Sequence, residues 1–247
     1  MSPRVAYLRF ELIRTLRNRR VVIFSLAFPI VLYLLIAGPN KDEHSLGGTG
    51  MSAPLYFMIG LAAFGTMNAM LSSGARIAAE RSVGWNRQLR ITPLTTRQYF
   101  RAKVATSYLL AIVALLALYV AGAALGVSLP ADRWVQMTGL ILIGLVPFAA
   151  MGIWLGHMLT ADSVGPAIGG TTALFAFLGG TWFPITGSGF LATLAKELPS
   201  YWLVQASRAG LGEKHPWGTH GWTVIITWSV VLILLASRAY QRDTKRV

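Results

Sequence analysis

The residue types that do chemistry in proteins are few in this sequence, and they stand apart. There is no Cys, and 247 residues hold four His and nine acids, so a thiol nucleophile, a disulfide and a Cys-ligated metal are excluded. His215 and His220 flank Pro216 and Gly218, and two imidazoles without a third ligand make a poor metal site. Gly187-Ser188-Gly189 has the glycines of a strained nucleophile turn but no base beside it, and reads as an outer turn. No G-x-x-x-x-G-K-[S/T] run is present, so the sequence has no phosphate loop of its own for ATP. One carboxylate stands in a suggestive setting. Glu80 is the lone acid among Arg76, Arg81, Arg87, Arg90, Arg97, Arg101 and Lys103. The scarcity of convergent polar groups argues against a self-contained enzyme, and no predicted span carries an ionisable residue at mid-depth for ion coupling.

The elements that must position these residues are set by apolar runs. Hydrophobic residues make up 54% of the chain and charged residues 13%, against about 25% charged in soluble domains, and mean hydropathy is +0.55. Uninterrupted apolar stretches of about twenty residues are long enough to cross a bilayer core as helices. Six spans are predicted, at about 21–38, 53–75, 104–127, 134–156, 163–184 and 217–236. The first lacks an A-x-A cleavage site and reads as a retained span. Ahead of it, Val5, Leu8, Leu12, Ile13 and Leu16 recur at helical spacing with Arg elsewhere. Residues 1–20 therefore read as an amphipathic basic helix along the inner headgroup layer, and 21–247 as a six-span unit. Gly122/Gly126, Gly152/Gly156 and Gly165/Gly169 are each four apart, which predicts close helix packing within one bundle.

Charge gives the orientation. Arg4, Arg9, Arg14, Arg17, Arg19 and Arg20 precede the first span, the basic residues around Glu80 lie between the second and third, and Arg238, Arg242, Lys245 and Arg246 follow the sixth. Set against Glu11, Glu80, Asp162 and Asp243, these segments carry the whole net charge of +13, and the charges of the remaining segments cancel. By the positive-inside rule that face is cytoplasmic, with both termini on it, in a bacterial plasma membrane. Topology thus accounts for a charge that in a soluble chain would suggest nucleic acid, and no nucleic-acid partner is expected. Trp134, Trp182, Trp217 and Trp222 fall near outer span ends, where aromatic belts sit.

Between the second and third spans, Glu80-Arg81, Gly84, Leu89-Arg90 and Thr92-Pro93-Leu94, then an aromatic and a basic residue before the next span, resemble the cytoplasmic loop of ABC type-2 permeases. Ser82-Val83 stands where that family has a second acid-base repeat. Gly179 to Pro184, an apolar stretch through Leu191, Leu194 and Leu198, and Pro199-Ser200-Tyr201-Trp202 resemble the region between the family's last two spans. The resemblance implies an all-α membrane protein with six transmembrane helices and short re-entrant extracellular helices between spans five and six. It also implies the permease subunit of an ATP-driven exporter. That subunit would pair with a second permease, identical or paralogous, and with two copies of a separate ABC ATPase. ATP and Mg would sit on the ATPase and no cofactor on this chain. ATPase coupling falls on Glu80, Arg81, Gly84, Arg87, Arg90, Thr92, Pro93 and Leu94, and an extracellular lid on Trp182, Phe183, Pro184, Pro199 and Trp202. The path, along spans two and five, falls on Met67, Asn68, Leu71, Phe175 and Phe177.

The residues add detail to this picture. Pro93 fixes its own φ and pushes Thr92 out of the helical region, making a corner after which Thr92, Thr95 or Thr96 caps a helix carrying Gln98 and Tyr99. Glu80 is expected to pair with Arg76, Arg81 or an Arg of the N-terminal helix. An apolar, aromatic path suits an amphipathic or hydrophobic substrate, such as a drug, an antibiotic or a lipid-like molecule, because a bare ion would pay the full desolvation cost. The alternative is a passive channel or scaffold protein without an ATPase. It rests on the most polar stripe of span two: Thr66, Asn68, Ser72 and Ser73.

Overall fold

A computed structural model describes residues 3–84, 95–185 and 188–245, and every regular element among them is helical. In chain order these are α1 (Pro3–Arg17), α2 (Arg19–Ala37), α3 (Ala53–Ser82), α4 (Thr96–Ala124), α5 (Ala131–Gly144) and α6 (Val146–Met158). There follow α7 (Ala161–Leu178), the seven-residue helices α8 (Phe190–Lys196) and α9 (Pro199–Gln205), and α10 (Gly218–Lys245). Among the described residues, five helices are long and apolar enough to cross a membrane: Arg19–Ala37, Ala53–Ser82, Arg97–Ala124, Ala131–Met158 and Gly218–Asp243. The fourth of these is α5 and α6 joined at Leu145, where Pro147 removes one backbone donor from the first turn of α6.

The stretch expected as span five is not in that set. It forms α7, whose 18 residues include Asp162, Pro166, Gly165, Gly169, Gly170, Thr171 and Thr172, and these hold down its mean hydropathy. The helix also stops at Leu178, so residues 179–184 lie outside it. Span two differs in the other direction. Its helix runs past Ala75 to Ser82, because Arg76, Glu80 and Arg81 end a hydropathy run without ending a helix; arginine and glutamate are good helix formers. At 30 residues, α3 is about 45 Å long.

The bundle is organised around α3, which packs against α2, α4, α6 and α7. Its apolar window is 94% buried, against 28% for both α2 and α10. A helix that is apolar or small on every face has no lipid side, and α3 is built that way with Gly60, Ala62, Ala63, Gly65, Ala69 and Gly74. The outer helices expose their large residues instead: Leu34 and Leu35 on α2, Leu116 and Val120 on α4, Ile226, Ile233 and Leu234 on α10.

Two local features fix the packing. Pro29 has no N–H for the Ser25 carbonyl, and the chain widens there into a π-turn over Ile23–Ala27. Gly65 fits against the exposed Ser25 carbonyl; a Cβ there would lie 2.6 Å from that oxygen. On the opposite side of α3, Gly74 meets Gly152 and Gly156 of α6 backbone to backbone. The Gly152/Gly156 pair therefore packs within the bundle, as its spacing suggests. Gly165 and Gly169 do not, since among the described residues nothing lies within 4 Å of where their Cβ atoms would be.

This contact is testable. A Cβ on Gly156 would sit 2.7 Å from the Gly74 carbonyl oxygen and 2.9 Å from its Cα, so the backbone must give way. Gly156→Ala is expected to destabilise the chain by about 1–3 kcal/mol, the usual cost of overpacking. Gly139→Ala, at a helix position with nothing within 4 Å, is expected to be neutral or stabilising by up to about 1 kcal/mol. Thermal unfolding in detergent separates the two, and equal melting temperatures would contradict the close contact.

Candidate functional site

The face of α1 that meets the bundle is its polar one. Tyr7, Glu11 and Thr15 follow each other at four-residue spacing and turn inward, whereas Val5, Leu8, Ile13 and Leu16 are exposed. Glu11 is completely buried, and one of its oxygens accepts from Arg76 Nε of α3 at 3.1 Å and from Lys103 Nζ of α4 at 2.7 Å. Lys103, itself fully buried, also donates to Glu80 at 2.5 Å. Glu80 in turn accepts from Arg14 of α1 at 2.5 Å and from the Tyr99 hydroxyl at 2.6 Å. Arg76 completes the set by donating to Ser72 and to Ser107 of α4. Two carboxylates and three cations thus bind three helix ends together, all of them buried except Arg14. The Tyr7 hydroxyl lies beside this cluster, where burial, and then the Glu80 and Glu11 carboxylates, push its pKa upward.

Arg81, the next residue, leaves α3 in another direction. It grips Asp243 of α10 through two nitrogens, at 2.6 and 2.8 Å, and donates to the carbonyls of Gly156 and Leu159 at the end of α6. Asp243 also meets His157 Nδ1 at 3.0 Å. His157 is buried between the Phe100 and Tyr240 rings. Glu80 and Arg81 therefore clamp one helix end to α1 and α4 on one side and to α6 and α10 on the other.

Of the expected coupling residues, Glu80 and Arg81 lie on α3, and Gly84, with φ +69°, follows its end. Arg87, Arg90, Thr92, Pro93 and Leu94 lie outside the described residues. Beyond them Thr95 caps α4, its hydroxyl accepting from the Gln98 N–H and the Gln98 side chain returning to the Thr95 N–H.

The residues expected along the path do not come together on one surface of the chain. Met67 and Leu71 are enclosed within it, Phe175 is nearly so and packs on Phe148 and Trp228, and Asn68 donates to the Ser25 hydroxyl of α2 at 3.1 Å. Phe177 is 65% exposed. The polar stripe of α3 is internally satisfied: Thr66, Ser72 and Ser73 donate to carbonyls of their own helix.

At the other end of α3, the residues expected in a lid surround the turn after α7. Trp182 packs edge-on against Phe64, Phe183 is exposed, and Pro199 opens α9. Trp202 Nε1 donates to the Lys196 carbonyl, Trp228 Nε1 to Glu197 and Trp217 Nε1 to Trp202, which satisfies carbonyls left open at the ends of two short helices. The Tyr56 hydroxyl of α3 donates to the Gly180 carbonyl.

Sequence reasoning missed Glu11, Arg14, Arg76, Tyr99 and Lys103 as one site. Helical spacing carried a signal: Arg76–Glu80, Tyr99–Lys103 and Tyr7–Glu11–Thr15 each recur at i, i+4. Removing one partner of a buried ion pair costs about 3–5 kcal/mol, because the other charge stays buried. Glu11→Gln is expected to lose stability on that scale, and a Glu11→Gln/Lys103→Gln double variant to lose less than the sum of the singles. A double-variant cycle of melting curves in detergent measures this; additive losses would show that the pair is not coupled.

Comparison with known proteins agrees with this architecture. A family model described as "ABC-2 family transporter protein" matches residues 39–238. A protein of Bacillus subtilis (strain 168) named "Putative transport permease YvfS" is 26% identical over 237 residues, with 92% of this chain and 88% of the relative covered. With the family match extending over most of its length, this multi-helix membrane chain belongs to the ABC-2 transporter family.

Proposed function

We propose that the chain is the membrane subunit of an ATP-driven exporter for an amphipathic or hydrophobic substrate. Its energy would come from two copies of a separate ATPase on the side of the ion cluster. The family supports a transport permease, and the sequence has no phosphate loop of its own. The carrying observation is the double clamp at Glu80-Arg81. It makes the α3 end stiff where the chain enters residues 85–94, and that segment is where an ATPase would push. In this reading α7 is the fifth of six crossings, both termini are cytoplasmic, and α8 and α9 dip into the outer leaflet, where Phe190 and Leu191 are exposed.

The second permease in this reading is a copy of the same chain, seated on α7. Gly165, Gly169 and Gly170 present bare backbone on the outward half of α7, which also exposes Leu174 and Phe177. Small residues let helices approach closely, and α7 falls short of the hydropathy of the five candidate spans. The path then runs beside Phe177, between the copies.

Two measurements test the proposal. Glu80→Gln keeps the shape of the side chain and its place near Lys103 and Tyr99 but removes the charge that both Arg14 and Lys103 neutralise. Transport in vesicles with the cognate ATPase is expected to fall at least tenfold, or to uncouple from ATP hydrolysis, while the protein still reaches the membrane. Wild-type coupling would remove Glu80 from the mechanism. Gly169→Leu is expected to lower the dimer fraction by light scattering without changing the melting temperature, since no atom of the chain lies near that position. An unchanged dimer would move the interface elsewhere.

A further inference from the structure

At the end of the bundle opposite the ion cluster lies a half-open cavity of about 320 Å³, at the small end of the 300–1,000 Å³ typical of ligand sites. Tyr56 on its wall and Glu80 in the ion cluster are 24 residues apart on α3, about 36 Å along the helix. That distance exceeds a hydrocarbon core of about 30 Å, so the two sites face opposite membrane surfaces. Lys196 at the end of α8 and Arg208 of the 3₁₀ turn after α9 line the cavity, with Gln205, Tyr201 and Thr49, and no carboxylate lines it. Met51, Val204 and Ile185 supply an apolar wall.

The cations are available. Ion pairs at this end are Arg133–Asp132, Arg208–Glu213 and His220–Glu197, which leaves Lys196 without one among the described residues. The Arg208–Glu213 pair, at 3.1 Å, is about half exposed on both sides, and such pairs exchange readily with water. Behind the wall, Ser200 Oγ is buried without a hydrogen-bond partner and sits so close to Gly179 that a Cβ there would lie 2.6 Å from it.

We propose that this cavity binds a phosphate-bearing anion, either the headgroup of an anionic amphipath or a small soluble phosphate ester. Lys and Arg reach it from two different elements, with amide and phenol donors between them. That arrangement suits a tetrahedral oxyanion with several acceptor oxygens, and the apolar wall suits the carbon skeleton attached to it. The site stands independently of any ATPase, so its test does not depend on transport.

The full-length chain is reconstituted in nanodiscs of phosphatidylglycerol or phosphatidylcholine, and retained lipid is read by native mass spectrometry. Glycerol 3-phosphate is titrated separately in neutral detergent. Preferential retention of phosphatidylglycerol identifies an amphipath site, and saturable glycerol 3-phosphate binding identifies a soluble-ester site; either supports the proposal. In both arms Lys196→Gln is expected to weaken binding at least tenfold, Lys196→Arg to retain it, and Lys41→Gln, at an exposed cation that does not line the cavity, to leave it unchanged. An unchanged melting temperature for Lys196→Gln excludes misfolding as the cause. Wild-type binding of both probes by Lys196→Gln, an equal loss in Lys41→Gln, or no binding of either probe by the wild type would overturn it.

Discussion

Lys103 Nζ is buried between two carboxylates, and the arrangement of this end of the bundle follows from keeping it there. A buried ammonium is tolerable only if it is paired and its hydrogen-bonding capacity is used. Glu11 and Glu80 meet that need from two different helices, so α1 cannot leave the bundle without taking away the acid that pairs with Arg76 and leaving Glu80 as the one carboxylate beside two buried cations. This explains why α1 turns its polar face inward and leaves Val5, Leu8, Ile13 and Leu16 outside. In water such an inversion would cost the burial of four apolar side chains. At a membrane surface the exposed stripe has acyl chains to meet, and the ionic face can be spent on the protein.

The opposite end of α3 is held by different chemistry. There the contacts are backbone and indole hydrogen bonds: Tyr56 to Gly180, and Trp202, Trp217 and Trp228 to carbonyls around the two short helices. Each is worth about 1 kcal/mol and releases no buried charge when broken. The bundle therefore has one end whose rearrangement strands ions and one end whose rearrangement exchanges hydrogen bonds. Movement of α8 and α9 is the cheaper of the two.

The hydropathy runs were legible because a bilayer imposes one length on every crossing helix. Span two showed where that signal fails: charge ended the apolar run at Ala75, but nothing in Arg76 to Ser82 breaks a helix, and the last turns of α3 carry the clamp. The stretch read as span five falls below the other candidate spans for a related reason, since its glycines, threonines and Pro166 lower hydropathy while still allowing a helix. The Thr95 cap and a partner for Glu80 on the N-terminal helix were readable from local spacing and from the shortage of acids. Which Arg pairs with which acid was not readable. Glu11 to Lys103 spans 92 positions and Arg81 to Asp243 spans 162, and no local rule sets contacts at that range. The cavity at the other end of α3 is of the same kind, because its cations come from α8 and from the turn after α9 while its wall comes from the segment before α3, the turn after α7 and α9.

Glu80 and Arg81 are adjacent, and successive residues on a helix point about 100° apart, so a single turn of α3 reaches both flanks of the bundle. Had the two residues lain on one face, both pairs would tie α3 to the same neighbour, and the other flank could slide. With the faces split, α1 and α4 are tied to α6 and α10 through one helix end. Since α3 is enclosed by α2, α4, α6 and α7 along its length, a shift of its Glu80-Arg81 end that leaves the ion pairs intact moves the helix as a body and is felt at the Tyr56 end, where the contacts are a hydrogen bond to Gly180 and ring packing of Phe64 on Trp182. The central helix thus has one end tied by charge to both flanks and another held by weaker, uncharged contacts.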